Sequence, residues 1–270
     1  MNAIRKYPRT QHLAGSKLQP GDEDLDAVPM AALKGRHVVI EEKMDGANSG
    51  MSFSAAGEFL LQSRGHYLLG GPRERQFNLF KQWANTISDR LFDVLTDRYV
   101  VYGEWLYAKH TVFYDALPHY WMEFDILDTT TGEFLDTPRR AELLRGVPVV
   151  PVKVLYSGEW PGEAAVRAMV TRSHFITPTA MTALADSAAA LGVDVELTLR
   201  QTDESGLMEG LYVKVEDGGV VTERYKFVRR DFVQKQLEEG HWQERPHRAE
   251  PTGRRGELVR GPVTRWFSRH

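Results

Sequence analysis

One lysine in the sequence stands where it could act as a nucleophile. Lys43 follows the strand-like run 37–40 and precedes a turn at Gly46. A lysine between a strand and a glycine turn lies at a sheet edge, where a ligand can reach it. Its amine attacks only when deprotonated, and desolvation or nearby cations lower the pKa of a lysine. Because the pattern K-x-D-G is short, an ordinary surface lysine before a turn is an open alternative.

Four further segments place charged or aromatic residues inside strand-like runs. Glu104 and Glu209 are carboxylates in apolar surroundings, and a buried carboxylate is tolerated only with a partner. A simple ion pair with a neighbouring Arg or Lys is the alternative for each. In chain order the segments are 102–106, 123–127, 209–214 and 225–229.

Together with Lys43, these segments resemble the ordered motif set of the covalent nucleotidyltransferases, which comprise ATP-dependent RNA and DNA ligases and mRNA capping enzymes. The resemblance covers about residues 5–232 and is closest to the nick-sealing branch of the RNA ligases. Asn48 and Arg64 match that branch, and stretch 6–13 looks like the start of bacterial and phage RNA ligases.

The last motif departs from the family pattern. The family often carries two lysines separated by one residue there, whereas this chain has Arg224 and Lys226. The charge is kept, but arginine does not replace lysine freely where geometry matters.

The resemblance implies a covalent mechanism centred on Lys43. Lys43 would attack the α-phosphorus of ATP, expel pyrophosphate and carry AMP as a phosphoramidate. Lys214, Arg224 and Lys226 would offset the triphosphate charge beside Mg²⁺, or Mn²⁺ in its place, and would help keep the Lys43 amine neutral. Outward-facing charges on a β-hairpin are the alternative for these three.

The resemblance also implies the contacts to the rest of the nucleotide. Glu104 would hold the ribose hydroxyls, and Phe124 would stack on adenine unless it is an ordinary core residue. Glu42 would lie near the adenine. The metal ligands would be Glu209 and Asp45, and the contacts to the AMP phosphate or to a 5′-phosphate end would be Asn48 and Arg64.

The elements that must position these residues are mostly strands. Strand-like runs outnumber helical ones, and most would pair with chain neighbours, so we expect an α+β fold of antiparallel sheets flanked by helices. Apolar residues at helical spacing follow Pro72 and indicate a helix that packs in the core. Gly192 would end the helical stretch 179–191. The resemblance implies the nucleotidyltransferase fold, an ATP-grasp-like ligase adenylylation domain.

Charge divides the chain into two parts. Residues 241–270 hold seven Arg against three Glu, a net +4, so the other residues carry −7 of the total −3. We therefore expect an adenylyltransferase domain over 1–240 and a basic tail over 241–270 that meets an anionic partner, a frayed terminus being the alternative. About 40 residues follow the last motif, too few for an oligonucleotide-binding barrel.

Several protein classes are excluded by what the sequence lacks. It has no Cys, no Walker-type glycine loop and no H-E-x-x-H pattern, so disulfides, P-loop ATP binding and zinc hydrolysis are unsupported. No signal peptide and no apolar run of membrane-spanning length are present. We expect a soluble, cytoplasmic enzyme.

The expected reaction joins RNA ends that carry a 5′-phosphate and a 3′-hydroxyl, including ends at a nick in a duplex. The short chain and the family likeness favour RNA over DNA. The alternatives are a minimal DNA ligase, a capping guanylyltransferase, a non-catalytic nucleic-acid-binding module, and the catalytic subunit of an RNA-repair assembly.

Overall fold

The computed structural model describes residues 4–18, 22 and 24–232. Twelve strands form one mainly antiparallel sheet. Their bounds are β1 Gln11–Leu13, β2 Ala27–Val28, β3 His37–Lys43, β4 Ala47–Phe53, β5 Phe59–Ser63, β6 Tyr99–Trp105, β7 Trp121–Asp128, β8 Glu133–Leu135, β9 Val150–Pro151, β10 Val154–Glu159, β11 Gly210–Asp217 and β12 Val220–Val228.

Helices flank this sheet, as the α+β prediction requires. Short 3₁₀ helices span Met30–Leu33 and Pro72–Phe77, and Gly192 with φ 68° follows the fifth α-helix as expected. The α-helices are α1 Asn78–Thr86, α2 Ser88–Leu95, α3 Thr137–Leu143, α4 Glu163–Ala168, α5 Ala180–Ala190 and α6 Val195–Arg200.

The strand order differs from the expectation of mostly local pairing. The path runs β10-β3-β11-β12-β8-β7-β6-β4-β5, so β3 lies between two strands that follow it by more than a hundred residues. Chain neighbours pair in the hairpins β4–β5, β6–β7 and β11–β12. Non-local partners were missed because short-range patterns report a strand and its turns, not the strand inserted beside it.

Side-chain alternation decides which residues reach the site. On β3, Val38 and Ile40 enter a hydrophobic core that also holds apolar residues of β11 and β12. Successive side chains of a strand point to opposite faces, so Lys43 shares the other face with Glu41. A second core packs the apolar stripes of α1 and α2 against β4 and β6, which confirms the predicted core role of the stripe after Pro72.

Two further predictions concern membrane-spanning helices and the basic C-terminal tail. Among the described residues, every helix is too short or too polar to cross a bilayer. The predicted basic tail, 241–270, lies outside the described residues, so its role stays a prediction.

Candidate active site

A cavity of about 1360 Å³ opens on the sheet face that carries Lys43. Nine of the eleven predicted site residues line it, whereas Lys214 and Arg224 do not. The nine are Glu42, Lys43, Asp45, Asn48, Arg64, Glu104, Phe124, Glu209 and Lys226. The structure therefore brings together residues that are up to 184 positions apart in the sequence.

Lys43 faces Glu209 across two neighbouring strands. Lys43 pairs with Gly210 in the β3–β11 ladder, and both carboxylate oxygens of Glu209 lie 2.7 Å from Lys43 Nζ. Gly210 permits this arrangement, because a Cβ there would lie 2.0 Å from the carbonyl oxygen of Phe227 on β12. The glycine thus allows the close approach of β12 that fixes the start of β11.

Carboxylates outweigh cations around the Lys43 amine. Burial lowers the pKa of Lys43, but the charge and hydrogen bond of Glu209, together with Glu104 and Asp45, more than offset this, so the net pKa is raised. Lowering by neighbouring cations is therefore not the net effect among these side chains, and the role of the cations beside a bound triphosphate stays a prediction. The same crowding acts on Glu104, whose pKa is raised to about 8 by burial and by Glu209 and Asp45, against the effect of Lys43.

Lys226 also lines the cavity and is buried. Its ammonium donates to Asp22 Oδ2, and Asp22 also lies 3.2 Å from Nε2 of the buried His12. Burial and the nearby Lys43 lower the pKa of Lys226, whereas Asp22 raises it, and the net direction is down. Lys226 therefore faces the site, and the alternative of an outward-facing charge is excluded for it.

Asp45 and Glu42 flank the lysine and are both anchored. Asp45 Oδ2 accepts hydrogen bonds from the backbone N–H groups of Thr111 and Val112 at 2.7 and 2.8 Å. Glu42 is buried and accepts from Ser173 Oγ and lies 3.0 Å from His174 Nδ1. Each carboxylate thereby fixes a loop against the cavity.

The remaining predicted nucleotide contacts occupy the cavity wall and its mouth. Asn48 is opposite Glu104 in the β4–β6 ladder, and its buried Oδ1 has no hydrogen-bond partner among the described residues. Phe124 packs edge-on against Tyr7, with ring centroids 5.1 Å apart. Arg64 is exposed on the loop after β5. An unpaired buried acceptor is costly unless a ligand satisfies it, so Asn48 points to a ligand site.

Lys214 and Arg224 lie on the same sheet face but in a separate group of charges, which we call the Arg140 cluster. Lys214 is fully buried, 2.9 Å from Glu41 Oε2 and 3.4 Å from Asp125 Oδ1. Arg224 Nε is 3.7 Å from Asp125 Oδ2. The cluster consists of Arg140, Lys214, Arg224, Glu41, Glu123 and Asp125.

Several residues of the site escape sequence reasoning. Tyr7 donates to Asp125 Oδ2 and lines the cavity, and Asp22 and Arg140 hold charged partners from distant strands. A polar, turn-rich N-terminal stretch and one arginine in a short helix carry no local signal for such contacts. Only the family likeness of stretch 6–13 points toward Tyr7.

The side chains around Lys43 suit a hard divalent cation that is shared with phosphate. Within the described part of the chain no three or more ligating side chains form a ready metal cage. Mg²⁺ is commonly held by one or two carboxylates plus substrate phosphates, and all its preferred donors are oxygens. Glu209 fits that pattern, and Asp45 offers the one carboxylate oxygen that is not bonded to backbone N–H groups.

A comparison with known protein families identifies the family of this chain. Residues 36–228 match the family model described as RNA ligase, and the chain belongs to that family. A search of curated proteins gives no match.

Solved structures with a similar fold are also RNA ligases. Two Naegleria gruberi RNA ligase mutants, one with ATP and Mn and one with AMP and Mn, each have a TM-score of 0.52 and 16% identity over 84% of this chain and 56% of theirs. An archaeal ATP-dependent RNA ligase is 18% identical, with a TM-score of 0.49 over 84% of this chain. The chain spans 48% of the archaeal protein. At these identities the likeness to the Naegleria structures shows the fold, which is the nucleotidyltransferase fold of RNA ligases.

Proposed function

We propose that this chain is an ATP-dependent RNA ligase that forms a lysyl-AMP intermediate on Lys43. The observation that carries the proposal is the position of the Lys43 amine, inside a large cavity and in contact with Glu209. Membership of the RNA ligase family supports the reaction class. The ligases of similar fold bind ATP or AMP with Mn, which supports the same nucleotide and a divalent metal here.

The first step needs a neutral amine. Lys43 Nζ gives up a proton, and Glu209 is the carboxylate placed to accept it, at 2.7 Å. The amine then forms a bond to the α-phosphorus, the bond from that phosphorus to the bridging oxygen breaks, and pyrophosphate leaves with the electron pair. Loss of a second proton from the nitrogen leaves the neutral phosphoramidate nitrogen.

The cavity residues supply binding and charge for this step. Lys226 is the cation that lies on the wall near Lys43, where it would meet the phosphates. Glu104 and Asn48, which are opposite each other on β4 and β6, would bind ribose and phosphate. Phe124 presents its ring to the cavity for the adenine. Mg²⁺ or Mn²⁺, held by Glu209 and substrate phosphates, would neutralise negative charge on the triphosphate.

Two further displacements would complete ligation. AMP would pass from Lys43 to the 5′-phosphate of an RNA end, and a 3′-hydroxyl would then attack that phosphate and release AMP. The exposed Arg64 at the cavity mouth is placed to meet an incoming phosphate. Binding of the polynucleotide should rest on phosphate contacts and weaken as salt rises.

Sealing of matched nicks tests the substrate class. The purified chain is given ATP, Mg²⁺ and a duplex with one nick bearing a 5′-phosphate and a 3′-hydroxyl, with the nicked strand made either of RNA or of DNA. We expect faster sealing of RNA. Equal or faster sealing of DNA would indicate a DNA ligase, and lysyl-AMP formation without sealing of either would indicate that a partner is needed for RNA docking.

A further inference from the structure

A chain of hydrogen bonds leads from the backbone of β12 to the Lys226 ammonium through β1. β1 runs parallel to β12, and His12 is the register partner of Lys226. Val228 N–H donates to Ser16 Oγ at 2.9 Å, and Ser16 Oγ lies 2.7 Å from His12 Nδ1. His12 and Lys226 are thus neighbouring side chains on adjacent strands.

Asp22 bridges these two side chains. Its Oδ2 accepts from Lys226 Nζ and lies 3.2 Å from His12 Nε2, while its Oδ1 is 3.6 Å from Arg9. Because a carboxylate only accepts, His12 Nε2 carries the proton on that side, and His12 Nδ1 accepts from the Ser16 hydroxyl. The contacts therefore fix one orientation of the imidazole, and the imidazole in turn fixes Asp22.

Burial increases the energetic cost of losing the carboxylate that bridges His12 and Lys226. His12 is fully buried and Asp22 and Lys226 are nearly so, and a buried ammonium without an anion is strongly disfavoured. Burial and the nearby Lys43 and Glu209 also act on Lys226, and its pKa is lowered despite Asp22. If Asp22 were removed, no bonded carboxylate would counter the repulsion between Lys43 and Lys226.

We propose that Asp22, oriented by His12, is a positioning residue that holds the Lys226 ammonium on the cavity wall, ready to meet the phosphates of the bound nucleotide. The expected effect on the reaction rate rests on the proposed function. The contact by which Asp22 holds Lys226 does not depend on that function. Asp22 lies outside every motif that carries the family resemblance, in a polar stretch before β2. Its role is indirect, since it acts through Lys226 and does not contact the reacting atoms.

A double-mutant cycle tests whether Asp22 acts through Lys226. Asp22→Asn is measured in the wild-type and Lys226→Ala backgrounds, with single-turnover formation of lysyl-AMP at varied ATP. We expect Asp22→Asn to lower the saturating rate by about 10- to 100-fold, the size of effect that misplacing a catalytic group produces. In the Lys226→Ala background it should change the rate by less than about 2-fold, because contacting residues are not additive.

Two variants separate positioning from a general structural role. Asp22→Glu keeps the charge and should recover part of the saturating rate, with little change in the ATP concentration for half-saturation. Asp24→Asn is the matched control, since Asp24 is a carboxylate of the same segment whose side chain is 68% exposed and bonded to Arg9. It should match the wild type. Equal losses from Asp22→Asn in both backgrounds would overturn the proposal.

A measurement that needs no catalysis distinguishes this failure from failure of the proposed function. Acetylation of Lys226 by an amine-reactive reagent is followed by peptide mass spectrometry in the folded proteins, with thermal unfolding as the check on folding. Loss of the bonded carboxylate should raise the Lys226 acetylation rate by about 10-fold, the change in neutral amine that one pKa unit produces. An unchanged acetylation rate of Lys226 in Asp22→Asn would contradict the proposal that Asp22 holds Lys226, even if the wild type formed no lysyl-AMP. His12→Gln is the second variant for the same measurement.

Discussion

Two groups of charges share one face of the sheet and differ in how they are balanced. In the Arg140 cluster, three cations meet three carboxylates, and five of the six side chains are at most 3% exposed. In the cavity, Lys43 meets Glu209 with Glu104 and Asp45 nearby, and its side chain is 19% exposed. One group is buried and its charges pair with one another, although Glu41 also lines the cavity. The other is open and carries more negative than positive charge around Lys43.

The difference separates structural charges from those available to a ligand. Burial raises the pKa of Asp125, but Lys214, Arg224 and Arg140 more than offset this and hold it below its ordinary value. Glu123 of the same cluster differs, because burial together with Glu41 and Asp125 raises its pKa to about 7 against the effects of Arg140 and Lys214. In the cavity the pKa of Glu104 is raised to about 8. A cation would complete the cavity, where carboxylates are in surplus around Lys43, whereas the three carboxylates of the Arg140 cluster are already balanced by its three cations.

The largest effect should follow from removing the carboxylate beside Lys43. Glu209→Gln keeps the shape but removes the proton acceptor and the metal ligand, so lysyl-AMP formation should fall by about 10²–10⁴-fold, as for loss of a general base. Stopped single-turnover assays with labelled ATP measure it. Glu133→Gln, an exposed glutamate on β8, is the control, and a Glu209→Gln rate within a few-fold of that control would remove Glu209 from the chemistry.

The Arg140 cluster should respond in stability. Arg140→Met leaves Glu41, Glu123 and Asp125 with two cations, and breaking a buried ion pair from one side costs about 3–5 kcal/mol. Urea unfolding measures the loss of the free energy of unfolding. Arg145→Met removes an arginine whose side chain is 77% exposed and should cost less than about 0.5 kcal/mol, so equal losses would show that the cluster is not the structural group inferred.

The smallest effect concerns the pH dependence of stability. The folded-state pKa of Glu104 is raised to about 8. Between roughly pH 4.5 and 8, Glu104 is therefore protonated in the folded protein but ionised in the unfolded chain. Its contribution to stability is therefore present at low pH and is lost as pH rises toward 8.

Glu104→Gln imitates the protonated carboxyl and should remove that dependence. Above pH 8 its Tm should exceed that of the wild type by at least about 2–4 °C, the shift that each 1 kcal/mol produces in a domain of this size. At pH 5 the two Tm values should agree. Scanning calorimetry across this range decides it, and a parallel pair of Tm curves would contradict the raised pKa.

The sequence predicts the cavity residues around Lys43 better than it predicts the Arg140 cluster. Lys43, Glu104 and Glu209 lie within short ordered motifs beside glycines, and the lining of one cavity by nine predicted residues is consistent with those roles. Period-two alternation also places Lys214 and Lys226 on one face of a hairpin. The alternation does not indicate that Glu41 and Asp125 enclose Lys214. That arrangement depends on the pairing of β3 with β11 and on the position of Arg140 in α3.

The fold shows the same limit. The strand-like run 37–40 lies within β3, and the segments 102–106 and 123–127 fall largely within β6 and β7. The short strands β8 and β9 carry too few residues for a periodic signal, and β10 is an edge strand that pairs with β3. Long-range pairing is decided by which faces bury apolar surface together, and this information is spread over the whole chain.

The central claim is that AMP becomes bonded to Lys43. The most direct test is peptide mass spectrometry after incubation with ATP and Mg²⁺, comparing the wild type, Lys43→Ala and the control Lys34→Ala, which removes an exposed lysine. We predict one acid-labile AMP adduct on Lys43 in the wild type and in Lys34→Ala, and none in Lys43→Ala. No adduct on the wild type, or an equal adduct on Lys43→Ala, would contradict the account.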